Sequence, residues 1–255
     1  MKITFLGSGS AFVLGHENYH SNILIESNED NLLYDAGTTI ADALYNANIT
    51  PFDIKNIFIS HNHADHSGGM EYIGYKTYFI PPFGSRRPIL YGSYDILEEL
   101  WENNLKAGMK SLTKATATLD TYFDVRYITD SFDVGDVNCT TIKTVHVEDD
   151  NGLMPSYGLF LNDSITNKKV YISGDSCCFS RRILMSADII FQDCELAIYP
   201  NSVHTQYHEL CTLPPEIKAK MWLYHYTTAG GTIELPDASK EGFLGFVKRG
   251  DTYDY

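Results

Sequence analysis

The segment His61-Asn62-His63-Ala64-Asp65-His66 places three imidazoles and one carboxylate within six residues. An apolar run at residues 54–60 precedes it and is typical of a buried strand. The glycine pair Gly68-Gly69 follows and suits a tight turn into a helix. Neutral imidazoles and carboxylates are ligands that zinc prefers in proteins. The segment therefore predicts a metal site at the end of a strand, in preference to a solvated polar loop.

The spacing within this segment predicts two neighbouring metal positions. Side chains alternate along an extended chain, so His61 and His63 point to the same side and can bind one ion. Asp65 and His66 lie beyond the turn and can reach a second ion nearby. The whole chain has nine histidines, so a chance cluster of this kind is a poor explanation.

The composition predicts one domain that spans residues 1–255. Of the 255 residues 44% are hydrophobic, and neither a composition break nor a repeat marks a linker. We expect no membrane span, because no run of about eighteen apolar residues occurs, and no signal peptide, because residues 1–7 resemble a strand. The five cysteines form no Cys-x-x-Cys pair, which favours reduced thiols and a cytoplasmic location.

The charge balance excludes one class of substrate. Lysine and arginine total 19 against 33 acidic residues, which gives a net charge of −14. A protein that binds long RNA or DNA needs many basic groups to displace counterions from the phosphates. We therefore expect no long nucleic acid partner. A small anionic substrate remains compatible with the sequence, because metal ions can supply the local positive charge.

Hydrophobic periodicity predicts a mixed α+β chain in which two sheets pack together with helices outside. The tail at residues 241–248 fits a strand or a helix equally well. The predicted strands cover residues 3–6, 21–26, 32–34, 54–60, 89–91, 123–128, 137–147, 157–161, 169–173, 188–191 and 221–226. The predicted helices cover residues 38–46, 94–106, 179–185 and 213–221.

Three further ligand candidates lie at or near the ends of predicted strands. His146 follows Thr144-Val145, Asp175 follows Ser173-Gly174, and His225 lies in a late apolar run. Taken singly, a histidine in a strand is usually structural, and an aspartate after glycine is usually part of a turn. Together with the cluster at residues 61–66, they favour one shared metal centre.

This order of motifs resembles the metallo-β-lactamase superfamily over nearly the whole chain. The resemblance implies an αββα sandwich fold and two divalent ions, with zinc the first choice and manganese the alternative. It implies that the first ion is held by His61, His63 and His146, the second by Asp65, His66 and His225, with Asp175 as the bridge and Asp35 as the aspartate beneath the site.

Residues 188–193 and 203–206 are similar to two further motifs of RNase Z-like phosphodiesterases. The resemblance implies that His204 is a catalytic histidine supported by the carboxylate of Asp193. The sequence departs from that branch, because Gln192 and Asp193 stand where the branch has histidine and glutamate. His208 is the rival candidate for the catalytic histidine.

The short span between His146 and Asp175 argues against tRNA processing. A hairpin fills it and leaves no room for the arm with which RNase Z enzymes grip tRNA. The remaining core resembles phage-encoded anti-Pycsar cyclic-nucleotide phosphodiesterases. That resemblance implies hydrolysis of 3′,5′-cyclic AMP, GMP, CMP and UMP to nucleoside monophosphates. Asp65 would orient the attacking water and accept its proton, and His204 would stabilise the developing charge or protonate the leaving oxygen.

Two other functions remain open at the level of sequence. One is an RNase Z-like endoribonuclease that processes tRNA 3′ ends, and the other is a non-hydrolytic protein that sequesters nucleotides.

Residues 18–20 precede a strand near the cluster and are candidates for substrate contact. The apolar, proline-stiffened segment at residues 79–84 predicts burial, either against a second copy of the chain or within the same chain. The resemblance implies a homodimer.

Overall fold

The computed structural model describes residues 1–14, 17–80, 87–150, 152–200, 202–228 and 233–255. Within these ranges two seven-stranded sheets form the centre of the molecule. No helix in the described ranges is long and apolar enough to cross a membrane.

The strands are numbered along the chain from β1 to β18. The first sheet has the order β18-β1-β2-β3-β4-β5-β8, and the second has the order β17-β16-β15-β14-β13-β10-β9. Their bounds are β1 Lys2–Phe5, β2 Ile23–Ser27, β3 Asp30–Tyr34, β4 Asn56–Phe58, β5 Ile89–Gly92, β6 Ser111–Leu112, β7 Ala115–Thr116, β8 Asp124–Tyr127, β9 Ser131–Val134, β10 Val137–Lys143, β11 Glu148–Asp149, β12 Gly152–Leu153, β13 Tyr157–Asp163, β14 Lys169–Ile172, β15 Ile189–Asp193, β16 Met221–Tyr224, β17 Gly245–Phe246 and β18 Thr252–Asp254.

Helices cover the outer face of each sheet. Short 3-10 turns occur at Pro51–Asp53 and Ala238–Glu241, and a wide π-helical segment, Leu100–Leu105, joins α4 to α5. The helices are α1 Ile40–Asn46, α2 Ala64–Ser67, α3 Met70–Phe79, α4 Tyr94–Glu99, α5 Lys106–Met109, α6 Leu119–Tyr122, α7 Arg181–Ser186, α8 Tyr207–Leu210 and α9 Pro215–Lys218.

Alternation along the strands divides the apolar side chains between three buried clusters. In β3, Leu32 and Tyr34 face the second sheet, whereas Leu33 between them faces the helices outside the first sheet. Successive side chains of a strand point to opposite faces, so one short strand serves two cores. A third cluster packs α7, α8 and α9 on the outer face of the second sheet. The layers are therefore helix, sheet, sheet and helix, and the α+β sandwich prediction is confirmed.

Several predicted boundaries are corrected by the structure. The strand predicted at residues 137–147 ends at Lys143, because residues 144–147 leave the ladder and form a loop. The helix predicted at residues 213–221 is a single turn, since Met221 begins β16. The undecided tail contains the two-residue strand β17. Helix 94–106 extends to Met109 through the π-helical segment.

The carboxyl ends of parallel strands from both sheets meet at one edge of the sandwich. β3 and β4 are parallel in the first sheet, and β14, β15 and β16 are parallel in the second. Ligands commonly bind where such strands end, because the loops there project side chains over the same edge. The predicted site residues follow these strand ends.

Candidate metal centre

Four side chains from both sheets form the first ligand cluster: His61, His63, His146 and Asp175. The Nδ1 atom of His63 lies 3.0 Å from Nε2 of His61 and 3.1 Å from Nε2 of His146. The Oδ2 atom of Asp175 is 3.8 Å from Nε2 of His61 and 3.7 Å from Nε2 of His146. The structure thus brings together the four residues predicted for the first ion.

The second cluster lies beside the first and shares Asp175 with it. Its other members are Asp65 and His66, both on α2, and His225, which follows β16. The Nε2 atoms of His66 and His225 each lie 3.2 Å from Oδ2 of Asp65. Asp175 approaches the same two imidazoles at 3.2 Å and 3.4 Å through its two carboxylate oxygens. Asp175 therefore belongs to both clusters.

The buried carboxylate of Asp35 supports the segment at residues 60–66 through hydrogen bonds. It accepts hydrogen bonds from the backbone N–H and the hydroxyl of Ser60, each at 2.7 Å, and from Nδ1 of His66 at 2.7 Å. Asp35 is fully buried, so these bonds satisfy a group that would otherwise be costly to bury. The motif comparison predicts Asp35 but not Ser60. The one sequence feature that points to Ser60 is its position directly before His61.

The hydrogen bonds around the imidazoles leave lone pairs directed into the centre. Nδ1 of His61 faces the Ser60 hydroxyl at 3.0 Å, and Nδ1 of His146 donates to the Val203 carbonyl at 2.8 Å. In both rings Nε2 is then the unprotonated nitrogen. Nε2 of His66 and Oδ1 of Asp175 are buried, and although charged neighbours approach them at 3.2–3.4 Å, neither atom makes a well-aligned hydrogen bond among the described residues. Converging lone pairs of this kind fit divalent cations.

The electrostatics of the two clusters differ. Burial holds the pKa of His61 well below its ordinary value, and the neighbouring imidazoles act in the same direction. Burial alone would lower the pKa of His66, but the carboxylates of Asp175, Asp65 and Asp35 outweigh it and raise that pKa well above its ordinary value. The first cluster thus favours neutral imidazole ligands, and the second favours a positive charge among its carboxylates.

Asp193 connects a predicted ligand to the predicted catalytic histidine. Its Oδ2 lies 3.0 Å from Nδ1 of His204, and its Oδ1 lies 3.4 Å from Nδ1 of His225. Burial would lower the pKa of His204, but Asp193 outweighs it and leaves that pKa above its ordinary value. The His204 ring lies 5.0 Å from the rings of His146 and His225, centroid to centroid. His204 therefore borders both ligand clusters.

Left-handed backbone occurs at three strand ends at the centre. Asp35, Gly174 and His225 have φ values of 63°, 60° and 61°. Glycine adopts this region readily, whereas Asp35 and His225 are strained there, at a cost on the order of 1–3 kcal/mol each. The N–H of His225 donates to the carbonyl of Ser8 at 2.8 Å, which holds this conformation in place.

A cavity of about 410 Å³ opens onto the ligand clusters. Of residues 18–20, only His20 lines it, since Tyr19 faces a different cavity and Asn18 is hydrogen-bonded to Ser8. Phe12, Thr38 and Val203 also line the cavity, and no sequence motif predicts them there. The described lining residues are Ala11, Phe12, His20, Thr38, His63, Ala64, Asp65, His146, Asp175, Val203 and His204.

His208 lies in a different cavity from the clusters. That cavity has a volume of about 410 Å³ and is lined by Cys177, Cys178, Phe179, His208, Glu209 and Thr212. Neither ligand cluster includes His208. The structure therefore places His204, and not its rival, beside the candidate metal centre.

Two packed mixed sheets, outer helices and a His/Asp centre at the strand ends define a protein of the metallo-β-lactamase fold. The metallo-β-lactamase fold protein YhfI from Bacillus subtilis superposes with a TM-score of 0.73 at 17% identity and covers 99% of both chains. The chain belongs to the anti-Pycsar protein Apyc1 family, whose profile matches residues 1–253. The sequence-based assignment to this superfamily and family is confirmed.

Two relatives show how much of the chain the likeness covers. An anti-Pycsar protein Apyc1 from Paenibacillus harenae is 34% identical over 243 residues, which covers 92% of each chain. An Apyc1 protein from Bacillus phage BSP38 is 31% identical over 266 residues, which covers 99% of this chain and 97% of the relative. Family membership and the buried His/Asp clusters together support a metal-dependent hydrolase.

Proposed function

We propose that this protein is a phosphodiesterase that uses two divalent metal ions to hydrolyse 3′,5′-cyclic mononucleotides to nucleoside monophosphates. The observation that carries the proposal is the convergence of two ligand clusters, joined by Asp175, at the floor of a cavity that His204 also lines. The anti-Pycsar relatives support a cyclic nucleotide as the substrate. Such a substrate is consistent with action in the cytoplasm of a cell, or of the host cell if a phage encodes the chain.

The residues of the two clusters would hold the ions. His61, His63 and His146 would bind the first ion, Asp65, His66 and His225 the second, and Asp175 would bridge the two. Bound divalent cations, with zinc first on ligand type and manganese second, supply positive charge to a phosphate and lower the pKa of a nearby water.

Two side chains of the cavity would move the proton. Asp65 lines the cavity and would orient the attacking water and accept its proton. The Nδ1–H of His204 is directed at Asp193, so Nε2 is the nitrogen available to a substrate. As the water oxygen bonds to phosphorus and the ester P–O bond breaks, His204 would protonate the leaving oxygen or stabilise its charge.

A substrate panel tests the proposal. Metal-loaded protein is assayed against cyclic AMP, GMP, CMP and UMP, beside bis-p-nitrophenyl phosphate and a tRNA precursor. We expect hydrolysis of the cyclic nucleotides and none of the precursor. Cleavage of the precursor alone would favour the endoribonuclease, and binding of cyclic nucleotides without turnover of any diester would favour the sequestering protein. Metal analysis of the same sample should give two ions per chain.

We also propose a homodimer. Phe79 and Ile80 are 46% and 42% exposed at the end of α3, as expected for a surface that a second chain covers. The rest of the predicted contact segment, residues 81–84, lies outside the described residues. Light scattering after size-exclusion chromatography should give twice the chain mass. A monomeric mass with full hydrolysis would exclude a second chain as a part of the site.

A further inference from the structure

The residues that line the cavity at the metal centre are of two chemical kinds. Four are members of the ligand clusters, His63, Asp65, His146 and Asp175, and His204 lies with them. The lining also includes the apolar residues Ala11, Phe12 and Val203. A cyclic nucleotide has the same division, with an anionic phosphate at one end and a flat, weakly polar base at the other. The polar residues suit the phosphate, which leaves the base without an assigned contact.

Phe12 is the one described lining residue of this cavity with a phenyl ring, and 83% of its surface is exposed. A singly exposed apolar residue needs no explanation in general. Here the ring lines a cavity whose polar residues are already matched to a phosphate. A flat apolar face in that position offers a stacking surface for any base.

The turn that presents Phe12 is fixed to both halves of the molecule. The N–H of Val13 donates to the carbonyl of Ser10 at 3.3 Å, so Ala11 and Phe12 form the tip of a four-residue turn. The N–H of Ser10 donates to the carbonyl of Tyr226 at 3.2 Å, beside His225. The exposed ring therefore stands on a turn that is bonded next to a predicted metal ligand.

The other side of the turn is bonded to the first sheet. The carbonyl of Gly9 accepts hydrogen bonds from the N–H and the hydroxyl of Ser21, each at 3.0 Å. A Cβ atom on Gly9 would lie 2.2 Å from Cγ1 of Val13, so the close turn requires glycine here. Because the backbone that carries the ring is already held in place, less conformational entropy is lost when a ligand stacks on the ring than on a mobile loop.

From this placement we infer that Phe12 is the stacking surface for the nucleobase of the substrate, while the phosphate lies at the metal centre. The inference rests on the proposed function and assigns a substrate-binding role to a residue outside the metal centre. Stacking gives affinity for a base without a hydrogen-bond code, since every base has a π-face. Phe12 thus contributes to KM for nucleotides and little to the chemical step.

The test compares a substrate that has a base with one that lacks it. Phe12→Ala should raise KM for cyclic AMP about tenfold, in keeping with base–aromatic stacking, and leave kcat nearly unchanged. With base-free 3′,5′-cyclic ribose phosphate, wild type and Phe12→Ala should have equal kcat/KM. Phe12→Trp should restore the wild-type KM. The matched control is Tyr45→Ala, because Tyr45 on α1 is 81% exposed and lies outside this cavity.

Several results would overturn the inference. An unchanged KM for cyclic AMP in Phe12→Ala, with the wild type active, would remove the stacking role and leave the proposed function intact. An equal loss on the base-free substrate, or a change in oligomeric mass, would mean that Phe12 supports the fold or a subunit contact. If the wild type hydrolyses no cyclic nucleotide, both the proposed function and the stacking role are wrong.

Discussion

The two halves of the candidate metal centre are built in different ways. The local half is residues 61–66, which supply four predicted ligands from one loop and the first turn of α2. The assembled half consists of residues from separate segments of the second sheet: His146, Asp175, Asp193, His204 and His225. The local half requires only that β4 ends just before His61. The assembled half forms only when β14, β15 and β16 lie in register.

Backbone conformation shows the same difference. Residues 61–66 are all described, and none of them has a positive φ. In the assembled half, His225 and the glycine before Asp175 both adopt left-handed conformations. In the assembled half a predicted ligand, His225, is itself left-handed, whereas in the local half the left-handed residue is Asp35, which supports the ligands through hydrogen bonds that involve Ser60 and His66.

The largest effect should come from the residue that joins the halves. Asp175→Ala should reduce hydrolysis to the assay background and lower the metal content, because both ligand clusters lose the same carboxylate. The control is Asp95→Ala, which removes an exposed carboxylate from α4 and so changes the net charge by the same amount away from the metal centre. Turnover measurements and elemental analysis decide the outcome. Two retained ions with normal turnover would show that Asp175 is not the bridge.

The next effect separates catalysis from metal binding within the assembled half. His204→Ala should lower kcat by roughly 10²–10⁴-fold, the usual contribution of a general acid or base, and retain both metals. His208→Ala is the matched control and should be close to wild type, since His208 lies in the other cavity. Loss of a metal in His204→Ala, or an inactive His208→Ala, would reverse the assignment of the two histidines.

A smaller effect on metal affinity and kcat is expected from the two buried aspartates behind the site, Asp35 in the local half and Asp193 in the assembled half. Asp35→Asn should weaken metal affinity by roughly 10–100-fold, as is usual when a group behind a ligand is removed. Asp193→Asn should lower kcat more than metal affinity, because Asp193 is closer to His204 than to His225, at 3.0 Å against 3.4 Å. Competition with a chelator measures the affinities. Equal effects of both variants on both quantities would contradict the division into halves.

The smallest effect concerns stability. Gly174→Ala should destabilise the fold by roughly 2 kcal/mol, because an L-residue pays for the left-handed backbone and its Cβ would lie 2.7 Å from the Tyr34 hydroxyl. Gly108→Ala on α5 is the control and should be neutral or slightly stabilising. Urea denaturation measures both. Equal stability of the Gly174 and Gly108 variants would show that the turn before Asp175 is not strained.

The prediction of individual elements failed where tertiary contacts decide their ends. The pattern that predicts a strand over residues 137–147 continues past Lys143, but pairing with β13 stops there. Residues 213–221 contain a helical turn and the start of a strand, because Met221 pairs with Ile190 of β15 as the first residue of β16. Periodicity alone cannot place such a boundary.

The position of Phe12 in the cavity lining could not be predicted from the sequence either. The loop after β1 contains a single Gly-x-Gly, Gly7-Ser8-Gly9, which fits a plain turn as well as a ligand-binding loop. Nothing local distinguishes Phe12 from an ordinary surface residue. Its turn is held by a hydrogen bond between Ser10 and Tyr226, which are far apart in the sequence.

The sequence by itself determined the fold class, the family and the order of the ligand candidates. It could do so because the ligands of residues 61–66 are neighbours in the chain and because apolar periodicity reports which faces are buried. Only the tertiary structure decided that Asp175 lies in both clusters, that His204 and not His208 borders them, and that Phe12 lines the cavity beside them. These relations join residues of separate strands and loops, and their distances are set by sheet register and strained turns, which no local pattern encodes.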